Sequence, residues 1–256
     1  MSLTHAQRRR LQDLARGRGE PGLHLLEGAK SVRDALGAGV VRELYLADGL
    51  DGATAGSLQA AAATAGVPVL CVAGADLERA SDTVTPQGVL AVVADTAEPL
   101  ERLLQRPGLL AWLDGVQDPG NVGAVVRVAV AFGAAGLLVG AGSADPLGVK
   151  ALRASAGLAL RLPFARAGGE AIAQALAAAR RPVWLLEKGG HDVFATEQVP
   201  PGLVLVVGSE GSGPSAAARA AATGSVGIPI RPEVESLNAA VAAGLVLGVL
   251  SRRLAR

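Results

Sequence analysis

The feature that most restricts this chain lies near its far end, in residues 203–245. Two short apolar stretches there each break into a polar loop, and a long helix of small residues follows. Leu203 to Val207 is continuously apolar, as expected of a strand buried on both faces. It stops at Gly208-Ser209-Glu210-Gly211-Ser212-Gly213-Pro214, where three glycines and a proline mark a sharp loop and a close backbone approach. A second strand is predicted over 226–230, ending at Arg231-Pro232-Glu233. Ser236-Leu237-Asn238 then opens a helix expected to reach about residue 254. Ligands in open α/β sheets bind beyond the carboxyl ends of strands, so two such loops point to a ligand site. Each part also has a plain structural reading: an ordinary turn, Ser236 as an N-cap, and Asn238 as an early-turn residue bonded locally.

The same alternation runs back through the chain. Strands are predicted over 23–26, 41–47, 67–72 and 89–94, and helices over 27–36, 58–64 and 75–80, with a polar loop over 81–88. This is a small α/β unit. Prolines, charges and Pro107-Gly108 between 95 and 108 mark a boundary. The expected division is a first domain over 1–97, a linker over 98–108 with a helical turn at 100–104, and a second domain over 109–256. In the second, strands are predicted over 109–113, 136–139 and 182–186, with an extended piece over 160–164. Helices are expected over 122–132, capped by Asp118 or Asn121, and over 148–156 and 170–179. The alternation calls for a mostly parallel sheet.

Composition narrows the functions. Half of the 256 residues are hydrophobic but only 2% are aromatic, so the core must be Ala, Val and Leu. A net charge of +1 means that any nucleic-acid surface is a local patch. Arg8, Arg9, Arg10, Arg16 and Arg18 read either as a solvated helix face or as phosphate contacts. Cys71 is the only cysteine, and His5, His24 and His191 are scattered, so neither an internal disulfide nor a metal site is expected. Apolar runs break well before about 20 residues, so no membrane span is expected, and the chain is placed in the cytoplasm. No predicted strand runs into the Gly-x-Gly-x-x-Gly spacing of a dinucleotide fold or into a P-loop, and no nucleophile elbow occurs.

Three segments together resemble the SpoU (TrmH) family of RNA ribose 2′-O-methyltransferases, within the SPOUT superfamily. They are Asp118-Pro-Gly-Asn-Val-Gly-Ala-Val-Val-Arg127 continuing to Gly133, Val207-Gly-Ser-Glu-Gly-Ser-Gly-Pro214, and Ile228-Pro-Ile230 followed by Ser236-Leu-Asn-Ala-Ala-Val241. The first half resembles the ribosomal-protein-like RNA-binding domain of the rRNA-modifying members, through Glu27-Gly-Ala-Lys-Ser-Val32 and Thr85-Pro-Gln-Gly-Val89. Ser209 stands where Asn or Ala is common, and Arg231-Pro232-Glu233 replaces a commoner glycine turn.

The resemblance implies a SPOUT-type α/β fold with a C-terminal trefoil knot and a homodimer formed through the catalytic domain. It implies methyl transfer from S-adenosylmethionine to a ribose 2′-hydroxyl, most of all in large-subunit (23S) rRNA, without a metal. Arg127 would orient the hydroxyl or stabilise charge. Asn121 would order the site around Arg127, Glu210 would fix backbone or Arg positions, and Ser236 and Asn238 would bond the substrate or hold the cofactor loop. Gly208, Ile228 and Leu237 would receive the cofactor, and Lys30, Arg33 and Arg153 are the candidate RNA contacts. A non-catalytic RNA-binding or ribosome-assembly protein on the same scaffold is the alternative reading, and a tRNA methyltransferase would share the motifs.

Overall fold

The computed structural model describes residues 2–81 and 87–254; Thr85 and Pro86 of the expected polar loop lie outside the described residues. In chain order the elements are α1 (His5–Ala15), β1 (Leu23–Glu27), α2 (Ala29–Gly37), β2 (Val41–Ala47), α3 (Gly52–Ala65), β3 (Val69–Val72), α4 (Gly74–Ala80) and β4 (Val89–Ala94). There follow α5 (Leu100–Leu104), β5 (Leu110–Asp114), α6 (Pro119–Ala131), β6 (Gly136–Val139), α7 (Val149–Ala154), β7 (Phe164–Arg166) and α8 (Gly169–Ala178). The chain continues through β8 (Val183–Asp192), β9 (Val204–Gly208), α9 (Ala216–Ala221), β10 (Gly224–Gly227) and α10 (Ala239–Leu254). Among the described residues no helix is long and apolar enough to cross a membrane.

The chain forms two compact units. One runs to Thr96 and takes in Leu147–Arg161; the other holds Ala97–Pro146 and the residues from Leu162 on. Two stretches therefore fall differently from the expected division. Residues 98–108 are not a spacer: Leu103 and Leu104 of α5 are buried with Trp112, Leu138 and Leu176. Arg181 clamps this stretch by donating to the carbonyl oxygens of Leu104 (3.0 Å), Arg106 (2.8 Å) and Gly108 (2.6 Å), and to that of Gly202 (2.8 Å). Residues 147–161 belong to the first unit, where Val149 packs on the core of Leu25, Tyr45 and Leu90.

The first unit has a four-stranded sheet in the order β1-β4-β2-β3. Its centre, β4, is VLAVVA, buried over its first five residues, and pairs antiparallel with both β1 and β2. Helix α1 starts in a capping box: Thr4 Oγ1 accepts from the Gln7 N–H, and Gln7 Oε1 accepts from the Thr4 N–H. Two of its arginines, Arg8 and Arg10, turn to carboxylates elsewhere in the unit, while Arg9 stays exposed. Arg8 donates to Asp76 at 2.7 Å, while Arg10 pairs with Glu20 and with Glu43 (2.8 Å). The Arg10 bond lowers the Glu43 carboxyl, and the Leu3 N–H, with Arg8, lowers that of Asp76. Helix α3 begins six residues before its predicted start because Asp51 caps it through the Thr54 N–H (2.9 Å).

The second unit has a six-stranded sheet, β10-β8-β9-β5-β6-β7, in which every pairing is parallel. Leu203 to Val207 is fully buried, as its composition requires. The predicted strand at 226–230 is instead Gly224–Gly227, leaving Ile228 to Ile230 as a loop. The last helix starts at Ala239, so Ser236 does not cap it.

Candidate active site

The strand ends and helix starts named above converge around one cavity in the second unit. At the end of β5, Asp114 lies opposite Gly208 of β9 and is buried. Its Oδ2 accepts from the Ser215 N–H at 2.6 Å, tying the end of one strand to the loop after the other. Ser143 closes the next turn: its Oγ accepts from the N–H groups of Gly115 (3.0 Å) and Val116 (3.1 Å) and donates to the Leu113 carbonyl (3.0 Å). Neither residue stood out in the sequence; the readable sign for Asp114 was a carboxylate closing an otherwise apolar strand.

The loop after β9 folds back on itself. The Gly213 N–H donates to the Ser209 carbonyl (3.0 Å), and the Ser212 N–H donates to Ser209 Oγ (3.1 Å). A Cβ on Gly208 would collide with the Gly213 and Pro214 backbone, so only glycine permits this return. The loop thereby presents Glu210. Asn121 Nδ2 donates to Glu210 Oε1 at 2.6 Å, and Asn238 Nδ2 donates to Asn121 Oδ1 at 2.9 Å. Asn238 Oδ1 in turn accepts from the N–H groups of Ala240 (2.9 Å) and Val241 (3.2 Å) at the start of α10. The direction of each amide follows from its partner. A carboxylate offers only acceptors, so Asn121 turns its NH2 to Glu210 and its oxygen to Asn238.

Of the two expected caps of α6, Asp118 is the one used, its Oδ1 accepting from the Asn121 N–H at 2.8 Å, with Pro119 at the first helical position. Asn121 therefore lies within the helix. Arg127, six residues on, is turned about 240° from it on an ideal helix. The structure does not bring Arg127 into the Asn121–Glu210–Asn238 cluster. It is exposed and makes no hydrogen bond or ion pair with the described residues.

The cavity has a volume of about 390 Å³, within the range that takes a small ligand. Gly208, Ile228 and Leu237 line it together, as do Glu210, Ser236 and Asn238. Leu186, Val207 and Ile230 extend its apolar wall, and Glu187, Lys188 and Arg219 add charge that the sequence reading missed. The signal was faint, since Glu187 and Lys188 read as the residues just past a strand. Among the described residues, no group of three His, Cys, Asp or Glu could hold a metal ion.

Lys30, Arg33 and Arg153 all lie exposed in the first unit. Lys30 is 3.7 Å from Asp34, and Arg153 is 3.8 Å from Glu27 at the end of β1. The loop after α7 reaches α2 as well, Arg161 lying 3.4 Å from Asp34.

A fold of one parallel sheet with a cavity at its strand ends admits many chemistries; comparison with known proteins narrows them. The sequence profile of the SpoU rRNA Methylase family matches residues 108–248, and that of RNA 2′-O ribose methyltransferase substrate binding matches residues 25–99. A Mycobacterium bovis protein named as a tRNA/rRNA methyltransferase is 36% identical over 237 residues, spanning 88% of this chain and 73% of the relative. The structure of an AdoMet-bound rRNA methyltransferase from Sinorhizobium meliloti superposes with a TM-score of 0.87 at 28% identity, covering 99% of this chain and 97% of that one. The SpoU methyltransferase AviRb from Streptomyces viridochromogenes, in complex with AdoMet, superposes at 0.81 and 29% identity, covering 98% and 99%. This chain belongs to the SpoU family of RNA methyltransferases.

Proposed function

We propose that the protein transfers a methyl group from S-adenosylmethionine to a ribose 2′-hydroxyl of large-subunit rRNA. The observation that carries the reading is the bridge made by Asn121 between Glu210 and Asn238 at the edge of the cavity. Three residues from three separated motifs meet there through their functional groups. The cavity suits the donor: its leucine and isoleucine wall takes a flat base, and its charged rim takes a polar amino-acid end.

When bound, S-adenosylmethionine supplies an activated methyl on a sulfonium, so the protein's task is alignment and proton removal. Gly208, Ile228 and Leu237 hold the donor by backbone and apolar contact. Ser236 and Asn238 border both the donor and the space beyond it, and bond the incoming nucleotide. In this reading the guanidinium of Arg127, unpaired among the described residues, takes a phosphate or the reacting hydroxyl when RNA docks. Lys30, Arg33 and Arg153 hold the rest of the RNA, with the first unit acting as the substrate-binding domain. That unit's match to a 2′-O ribose substrate-binding profile supports the ribose target.

Two further features belong to the reading. The segment from β9 to α10 forms the trefoil knot. A second copy of the chain covers the apolar face on which Phe132 (43% exposed), Val241 (53%) and Leu245 (43%) lie open on α10 and at the end of α6. Contiguous exposed apolar side chains are a common sign of association.

The test is methyl transfer from labelled S-adenosylmethionine to RNA lacking its native modifications, followed by mapping of bonds resistant to alkaline cleavage. One resistant bond in large-subunit rRNA is the expected result. Label in tRNA would keep the enzyme and replace the substrate. No transfer to RNA or ribosomal particles by folded, donor-bound protein would favour an RNA-binding or assembly role.

A further inference from the structure

The cavity carries charged side chains that the family motifs leave without a task. Glu187 and Lys188 sit on a protrusion of five residues, 186–190, that leaves the β8–β10 ladder between Leu185, opposite Ser225, and His191, opposite Val226. The protrusion is fixed at the level of the backbone. A Cβ on Gly190 would strike the Val226 backbone, and one on Gly227 would lie 2.8 Å from the Glu187 carbonyl oxygen. Helix α9 supplies Arg219, whose Nη1 donates to Glu187 Oε2 at 2.8 Å. Their side chains are 50% and 28% exposed respectively. An ion pair so open to water adds little to stability, but it holds the carboxylate in one orientation at the cavity wall. Glu187 Oε1 accepts no hydrogen bond from the described residues. The neighbouring carboxylate of Glu210 is already engaged by Asn121.

We infer that Glu187, oriented by Arg219, receives the ribose diol of the adenosine donor. The inference rests on the donor proposed above. Two vicinal hydroxyls need acceptors, and an ionised carboxylate offers only acceptors, with lone pairs beyond the one Arg219 takes. Bonds to a charged acceptor are the stronger kind. An acidic side chain serves ribose hydroxyls in the same way in dinucleotide-binding α/β folds. The adjoining Leu186, with Ile228 and Ile230, gives the attached base its apolar surface. Glu187 is thus a specificity residue for the donor, and Arg219 is the residue that positions it.

Calorimetry with S-adenosylhomocysteine, 5′-methylthioadenosine and the 2′,3′-dideoxy form of the latter separates the possibilities. Glu187→Gln is expected to weaken the first two ligands equally, by about tenfold, and to leave binding of the dideoxy compound at the wild-type value. Arg219→Gln should show a smaller loss with the same ligand pattern, restored in part by Arg219→Lys. A loss confined to S-adenosylhomocysteine would assign Glu187 to the amino-acid end and overturn the inference. Unchanged affinities in a variant with wild-type thermal unfolding would overturn it too. Wild-type protein that binds none of the three would overturn the donor reading and this inference with it.

Discussion

The amide cluster of the second unit and the arginine cluster of the first hold their polar side chains by opposite means. Asn121 and Asn238 are short and neutral and are rooted in the first turns of α6 and α10. Each spends both its oxygen and its nitrogen on a directed bond. Arg8 and Arg10 are long and charged, and reach carboxylates distant in sequence. A neutral amide loses its network when one atom is changed. A guanidinium near water loses one partner of several. The difference teaches that two of the conspicuous charges, Arg8 and Arg10, brace the first unit, while the inconspicuous amides form the network beside the cavity.

The sharpest way to break the comparison is Arg127→Ala. Arg127 has no partner among the described residues, so its removal should leave folding and donor affinity unchanged while methyl transfer falls at least about a hundredfold. Normal turnover in single-turnover assays would remove it from the mechanism. Asn121→Ala comes next. It strands Glu210 and the Asn238 amide together, and transfer should drop roughly ten- to a hundredfold, with Tm lowered as well. A smaller effect than that of Asn238→Ala would show that Asn121 is not the hub.

Asn238→Asp sharpens the picture further. It keeps the oxygen that caps α10 but loses the N–H that Asn121 accepts. Activity should fall, while stability stays above that of Asn238→Ala, which costs about 1 kcal/mol as a lost cap. Equal Tm values for the two variants would refute the capping role.

The smallest effect belongs to the arginine cluster and is read against pH. Glu43 and Asp76 have carboxyls lowered in the folded state, Glu43 first by Arg10 and Asp76 first by the Leu3 N–H. Their contribution is therefore fully present above the unfolded values, near 4, and is lost as pH falls through the lowered folded ones. Thermal unfolding followed from pH 6 to pH 3 should show a falling Tm, with a shallower fall in Glu43→Gln. Identical slopes would show that the pair does not report on folding.

Much of this was legible in the sequence, and for plain reasons. Apolar runs such as Leu203 to Val207 have no other place than a buried strand. Glycine at 208 announced a backbone contact that the structure supplies at Gly213 and Pro214. The three motifs gave Glu210, Ser236, Asn238, Gly208, Ile228 and Leu237 a common cavity. What could not be read is long-range or set by backbone return. The helical phase between Asn121 and Arg127 depended on which of two residues capped α6. The transfer of 147–161 to the first unit depends on α7 finding β1. The Arg181 clamp joins carbonyls up to 77 residues away, and carbonyls have no signature in a sequence. The protrusion bearing Glu187 looked like the tail of a strand, because its glycines give no sign of where the ladder resumes.

The separations within the amide cluster set a schedule for synthesis. Asn121 bonds to residues 89 and 117 positions later, and β5 waits for β9 to pair its second edge. At about 5 to 20 residues per second, the ribosome delivers Asn238 roughly 6 to 23 seconds after Asn121. Through that interval the emerging chain carries an apolar strand with an open edge and has no site. A product truncated before α10 therefore lacks the Asn121–Glu210–Asn238 network and leaves one edge of β5 open to aggregation.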